Sequence, residues 1–131
     1  MQAADFDQLV ETALRRIPAR FRRRIQNVAV VVENEPSLAQ LNGRGISAGG
    51  TLLGLYEGRP LRYRSVWDSF GLPDRITIFQ GPHERIARNR ADLERLVEQT
   101  LWHEIAHYFG MNEREVRAAE RLRRMQRLWP H

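Results

Sequence analysis

Near the start of the chain, the apolar positions Phe6, Leu9, Val10, Ala13, Leu14 and Ile17 recur every three or four residues. That spacing predicts an amphipathic helix with one face on a core. Asp5 reads as its cap, and Pro18 closes it. Val28 to Glu33 is a β-branched run that suits a buried strand, and Leu52 to Glu57 and Arg75 to Gln80 read as two more. The stretches between them, Asn34 to Gly50 and Gly58 to Asp74, are rich in Gly, Pro, Ser and Arg and read as long loops. Loops of that length are uncommon in a small domain and often carry substrate contacts or a lid. Asn89 to Phe109 is the longest helical pattern, and Glu113 to about Leu128 is a last helix. The expected fold is therefore α+β in one domain spanning residues 1–131: an N-terminal helix, a three- to four-stranded mixed sheet, a long central helix and a C-terminal helix. A chain of 131 residues has room for one core, not for separate catalytic and substrate domains.

The long helix departs from simple amphipathicity. Its core-facing stripe runs through Leu93, Leu96, Val97, Leu101 and Tyr108. At about 100° per residue, Glu104 falls in the middle of that stripe, with His103 and His107 on one flank. Burying a carboxylate without a partner costs several kcal/mol, so a glutamate there implies a cation, a hydrogen-bonding network or a wet cleft. The opposite side changes along the helix: Glu94, Arg95 and Glu98 come first, then Trp102, Ile105 and Phe109. The half that bears the histidines is thus expected to be covered on both sides.

From His103 to Glu113 the chain reads His-Glu-Ile-Ala-His-Tyr-Phe-Gly-Met-Asn-Glu. Histidines four residues apart on a helix lie one above the other, so both imidazoles can reach a single ion with Glu104 beside them. Glycine enters the left-handed region without strain, so the helix is expected to stop near Gly110 and the chain to turn. The turn could bring Glu113 back towards the ion. Two His and one Glu would leave the fourth tetrahedral position to water, as in catalytic zinc sites, and Glu104 would act as general base. A second reading of the same stretch is open: Asn112 and Glu115 have the spacing of a helix cap, and an acid at Glu113 suits a first helical turn. The two roles are compatible. His83 and His131 lack metal spacing and read as a loop residue and a chain end.

The motif, with Asn27 to Glu33 and Leu52 to Gly58 ahead of it and Pro73 to Phe79 between, resembles the bacterial minimal zincin-like metallopeptidases from about Phe6 to Val116. The resemblance implies a small zincin fold and zinc-dependent peptidase activity. It implies His103, His107 and Glu113 as zinc ligands and Glu104 as catalytic base. It also implies that an extended substrate pairs with an edge strand ahead of the site helix, a place that Arg75 to Gln80 occupies in the sequence. The pattern is similar to the metzincin consensus but departs from it, since Glu113 replaces the third His and no Met-turn follows.

Composition narrows the chemistry. Hydrophobic residues at 42% and charged residues at 28% fit a folded soluble protein. With no cysteine, a metal would be held by His and carboxylate alone, which favours a catalytic over a structural ion. No apolar run reaches membrane length and the first residues lack a secretory pattern, so a cytoplasmic location is expected, without membrane association. Net charge is +5 and every basic residue is Arg. Such a surplus suits a nucleic-acid or acidic-partner surface, but a solvated Arg face is the commoner explanation, and no aromatic residues are interleaved for base stacking. The leading expectation is a peptidase acting on a peptide or protein. The alternatives are a metal-dependent endoribonuclease and a non-catalytic zinc-binding module that docks an acidic partner.

Overall fold

Helix α1 (Ala3–Arg15) buries Phe6, Leu9, Val10 and Ala13, the stripe read from the sequence. It starts earlier than expected. Gln2 is its N-cap residue and Asp5 lies in the first turn, where a negative charge still complements the helix dipole. Ile17 is buried after the helix ends, and Pro18 opens a short helix α2 (Ala19–Arg22). This computed structural model describes residues 1–58 except Gln26 and Ala48, residues 74–112, and residues 114, 115, 117, 118 and 121.

Three strands form one mixed sheet: β1 (Val28–Glu33), β2 (Gly54–Glu57) and β3 (Asp74–Phe79), in the order β1-β3-β2. β1 runs parallel to β3 with Val28 opposite Asp74 and Glu33 opposite Phe79. β2 runs antiparallel, with Gly54 opposite Ile78 and Glu57 opposite Arg75. This places Arg75 to Phe79 at the centre of the sheet and corrects the expectation that this segment is a free edge. The physical reason lies in its own side chains: Ile76, Thr77, Ile78 and Phe79 are all buried, and a strand apolar on both faces belongs between neighbours. Among the described residues, the edge strand beside the long helix is β2.

One face of the sheet carries the main core. Ile76 and Ile78 pack with Phe6, Leu9, Val10 and Ala13 of α1 and with Leu93, Val97, Leu101 and Ile105 of the long helix α5 (Arg90–Tyr108). The other face carries a smaller cluster of Leu41, Leu52, Leu55 and Phe79. Leu41 comes from α3 (Leu38–Gly43), a helix inside the stretch expected to be loop. Ser37 and Gln40 form a capping box there: Gln40 N–H donates to Ser37 Oγ at 3.1 Å and Ser37 N–H donates to Gln40 Oε1 at 2.8 Å. Helix α4 (Gln80–Ile86) follows β3 directly. Most of the second expected loop, Gly58 to Asp74, lies outside the described residues, as does most of the C-terminal helix. The described positions of that helix, Arg114, Glu115, Arg117, Ala118 and Arg121, are helical. Among the described residues no helix is long and apolar enough to cross a membrane.

Candidate metal centre

Helix α5 begins where Asn89 Oδ1 accepts from Asp92 N–H at 2.9 Å, and it ends at Tyr108. Gly110 then takes φ 82°, the left-handed turn that only glycine enters freely. The last two turns of α5 carry His103, Glu104 and His107. The two imidazole rings are edge-on with centroids 4.8 Å apart, and the donor atoms of the three side chains all lie within 4.8 Å of one another. Donors around one tetrahedral zinc sit about 3.3 Å apart at the usual bond lengths, so the two imidazoles are close enough to share one ion with Glu104 beside it. Two imidazoles and a carboxylate are nitrogen and oxygen donors suited to a divalent cation.

Glu104 is 3% exposed, as its place in the apolar stripe predicts. Its partner is not legible in the sequence. Tyr56 N–H donates to Glu104 Oε1 at 2.9 Å, and that N–H belongs to the edge strand β2. Phe79 N–H donates to Leu53 O at 2.9 Å, so along β2 the odd-numbered residues face β3 and Gly54 and Tyr56 turn their backbone outward. The helix and the strand meet closely here. A Cβ on Gly54 would lie 2.6 Å from Thr100 Cγ2 and 3.2 Å from Glu104 Cγ. A glycine within a strand is the sequence signal of such an approach. Tyr56 is fixed by its own ring, whose hydroxyl donates to Asp74 Oδ2 at 2.5 Å and which packs edge-on against Tyr108 at 5.8 Å.

The covering of the site on its far side is as expected. Phe21 of α2 packs edge-on against Trp102 at 5.5 Å and against Phe109 at 6.2 Å. Beside the histidines lies a cleft of about 360 Å³, with Leu52, Leu53 and Gly54 on one side, Gln99, Thr100, His103 and Glu104 on the other, and Arg44 among its lining residues. Of the remaining predicted residues, Glu113 and His131 lie outside the described residues. The Asn112 cap is present: Glu115 N–H donates to Asn112 Oδ1 at 2.8 Å and Asn112 N–H donates to Glu115 Oε1 at 3.2 Å.

His83 is not a loop residue. It is fully buried in α4, where Nδ1 donates to Phe79 O at 2.7 Å and Nε2 lies 2.9 Å from Thr100 Oγ1, one turn of α5 before Glu104. Burial holds its pKa below the ordinary histidine range, against a smaller opposing effect of the Phe79 carbonyl. The unfolded chain, with an ordinary histidine pKa near 6.5, therefore binds a proton at a pH where the folded chain does not. Stability contributed by the neutral ring is full above about pH 6.5 and is lost as pH falls below it, by at most about 1.4 kcal/mol per pH unit. Urea unfolding of metal-free protein between pH 7 and 5 should show this slope, and His83→Gln should flatten it. An unchanged slope in that variant would assign the effect to other groups.

The sequence matches the family described as zincin-like metallopeptidase over residues 25–122, most of the chain. The chain belongs to that family. Among solved structures, this zincin-like protein is similar to a conserved hypothetical protein from Thermus thermophilus, at 26% identity and a TM-score of 0.55. The likeness covers 83% of this chain and 94% of that one. Among curated proteins, none matches the sequence. The His103, Glu104 and His107 cluster lies within the residues matched to that family.

Proposed function

We propose that this zincin-like protein is a zinc-dependent peptidase in which His103 and His107 hold the metal, Glu113 is the third ligand and Glu104 is the general base. The observation that carries this reading is the pair of imidazoles one helical turn apart with Glu104 beside them, the donor atoms within 4.8 Å of one another and Glu104 buried and bonded to the backbone of β2. Bound there, zinc supplies a Lewis acid that polarises a carbonyl and acidifies water. The residues do the rest. The imidazoles present ring nitrogens from a helix covered on both sides, so the ligand geometry is set before any substrate arrives. Tyr56 N–H holds one oxygen of Glu104, which leaves the other to take a proton from the attacking water and return it to the leaving amine nitrogen. The cleft between β2 and α5 is the place for an extended peptide on this reading.

Metal analysis of the purified protein tests the ligand set, and digestion of a peptide library tests the activity. About one zinc per chain is expected in the wild type, with weaker retention in Glu113→Ala. Peptide cleavage should stop with a chelator and return with zinc. Cleavage of RNA instead of peptides, in a metal-dependent and salt-sensitive manner, would replace this reading with a nuclease. Zinc binding without cleavage of either would leave a binding module.

A further inference from the structure

The cleft beside α5 has a cation whose charge is unspent. Arg75, Arg85 and Arg95 bond to Glu57, Glu35 and Asp92, whereas Arg44 has no acidic partner among the described residues. Arg44 is nonetheless held in place at its backbone. It caps α3, its N–H donating to Leu41 O at 3.1 Å, and Ile46 N–H closes the same turn on Leu41 O at 2.9 Å. Leu41 and Ile46 both pack into the cluster under Leu52, Leu55 and Phe79. A packed turn therefore carries the guanidinium to the cleft that His103 and Glu104 also line.

The opposite wall is one face of α5, with Leu96, Gln99, Thr100 and His103 at three- and four-residue spacing. Leu96 and His103 are about 10 Å apart along the axis, a length that about three extended residues would span. Gln99 is half-buried one turn before His103, and its amide has no hydrogen-bond partner among the described residues. Leu52, Leu53 and Leu96 supply apolar walls. The one acid among the lining residues, Glu104, already accepts from Tyr56 N–H. A guanidinium on a backbone-anchored turn and an amide along one cleft are suited to a carboxylate, which accepts from arginine in two-pronged fashion.

We infer that this cleft selects substrates bearing a carboxylate near the scissile bond, with Arg44 as the specificity-determining residue and Gln99 as its auxiliary donor. The carboxylate is either an Asp or Glu side chain or the end of the peptide. The inference rests on the peptidase reading and deepens it by naming the substrate class.

The test is the affinity of short peptide hydroxamates for the zinc-loaded full chain. Their chains extend to either side of the zinc-binding group, with Glu or Gln at each position in turn and with free or amidated ends. One position, or the free end, should bind on the order of tenfold tighter as the carboxylate than as the amide. The position identifies a side-chain source and the free end a terminal one. The preference should vanish in Arg44→Ala, reverse in Arg44→Glu and survive in part in Arg44→Lys, with zinc content unchanged throughout. Equal affinity of acids and amides at every position, or a preference that persists in Arg44→Ala, would overturn the inference and leave the peptidase reading standing. Failure of every hydroxamate to bind would overturn that reading and the inference with it.

Discussion

On the peptidase reading, Glu104→Gln should keep its zinc and its fold while losing about three orders of magnitude in kcat for peptide hydrolysis, within the range by which a positioned general base contributes. The substitution is close to isosteric, and the amide oxygen of Gln can still accept from Tyr56 N–H, so the hydrogen bond that ties α5 to β2 survives. What disappears is the ability to take a proton at the second oxygen. The loss should therefore fall on kcat with KM nearly constant. His103→Ala and His107→Ala contrast with it, since each would remove a proposed metal ligand and should lower zinc occupancy itself. Steady-state kinetics beside metal analysis separates the two classes. A Glu104→Gln protein that retains hydrolysis at the wild-type rate would remove Glu104 from the mechanism, whatever the metal content.

The elements most legible in the sequence are those whose side-chain pattern is set by burial alone. β1 is expected at Val28 to Glu33 and is found there, and the first three turns of α1 and nearly the whole of α5 follow their apolar stripes. Glu104 is legible for the same reason, since a charged residue stands out in a core-facing stripe. The errors arise where partners distant in sequence decide. His83 reads as a loop residue because its burial depends on Thr100, on another helix. The hydrogen bond of Glu104 comes from a backbone N–H, which no side-chain type announces. The place of β3 at the centre of the sheet is written in its buried run of Ile76 to Phe79, but the functional analogy with edge strands outweighs it in the sequence. Helix α3 escapes detection because six residues offer one buried side chain, Leu41, and no periodicity to count. Its Ser37 and Gln40 capping pair is the available signal.

Gly54 should prove to be the tightest constraint on the site outside the metal-binding side chains. A methyl group there would sit 2.6 Å from Thr100 Cγ2, 3.2 Å from Glu104 Cγ and 3.3 Å from Thr77 O. Thr100 cannot turn aside at low cost. Threonine is restricted at χ1 in a helix, and its Oγ1 is 2.9 Å from both Leu96 O and His83 Nε2. Gly54→Ala must therefore push α5 away from β2 or break that junction, at a cost of about 1–3 kcal/mol by the usual scale of overpacking. Displacing α5 lengthens the Tyr56 to Glu104 bond, so hydrolysis should fall by more than the stability loss alone explains, since a misplacement of about 1 Å can cost a hundredfold. Thr100→Ser supplies the control: it deletes Cγ2, the nearest atom, while keeping the hydroxyl that meets His83. Combined with Gly54→Ala, it should restore much of the stability and part of the activity, the remainder being withheld by Glu104 Cγ and Thr77 O. A double-mutant cycle in urea unfolding and in kcat measures this coupling. If the two substitutions simply add, the helix and strand are not in contact at this point, and Gly54 does not set the position of Glu104.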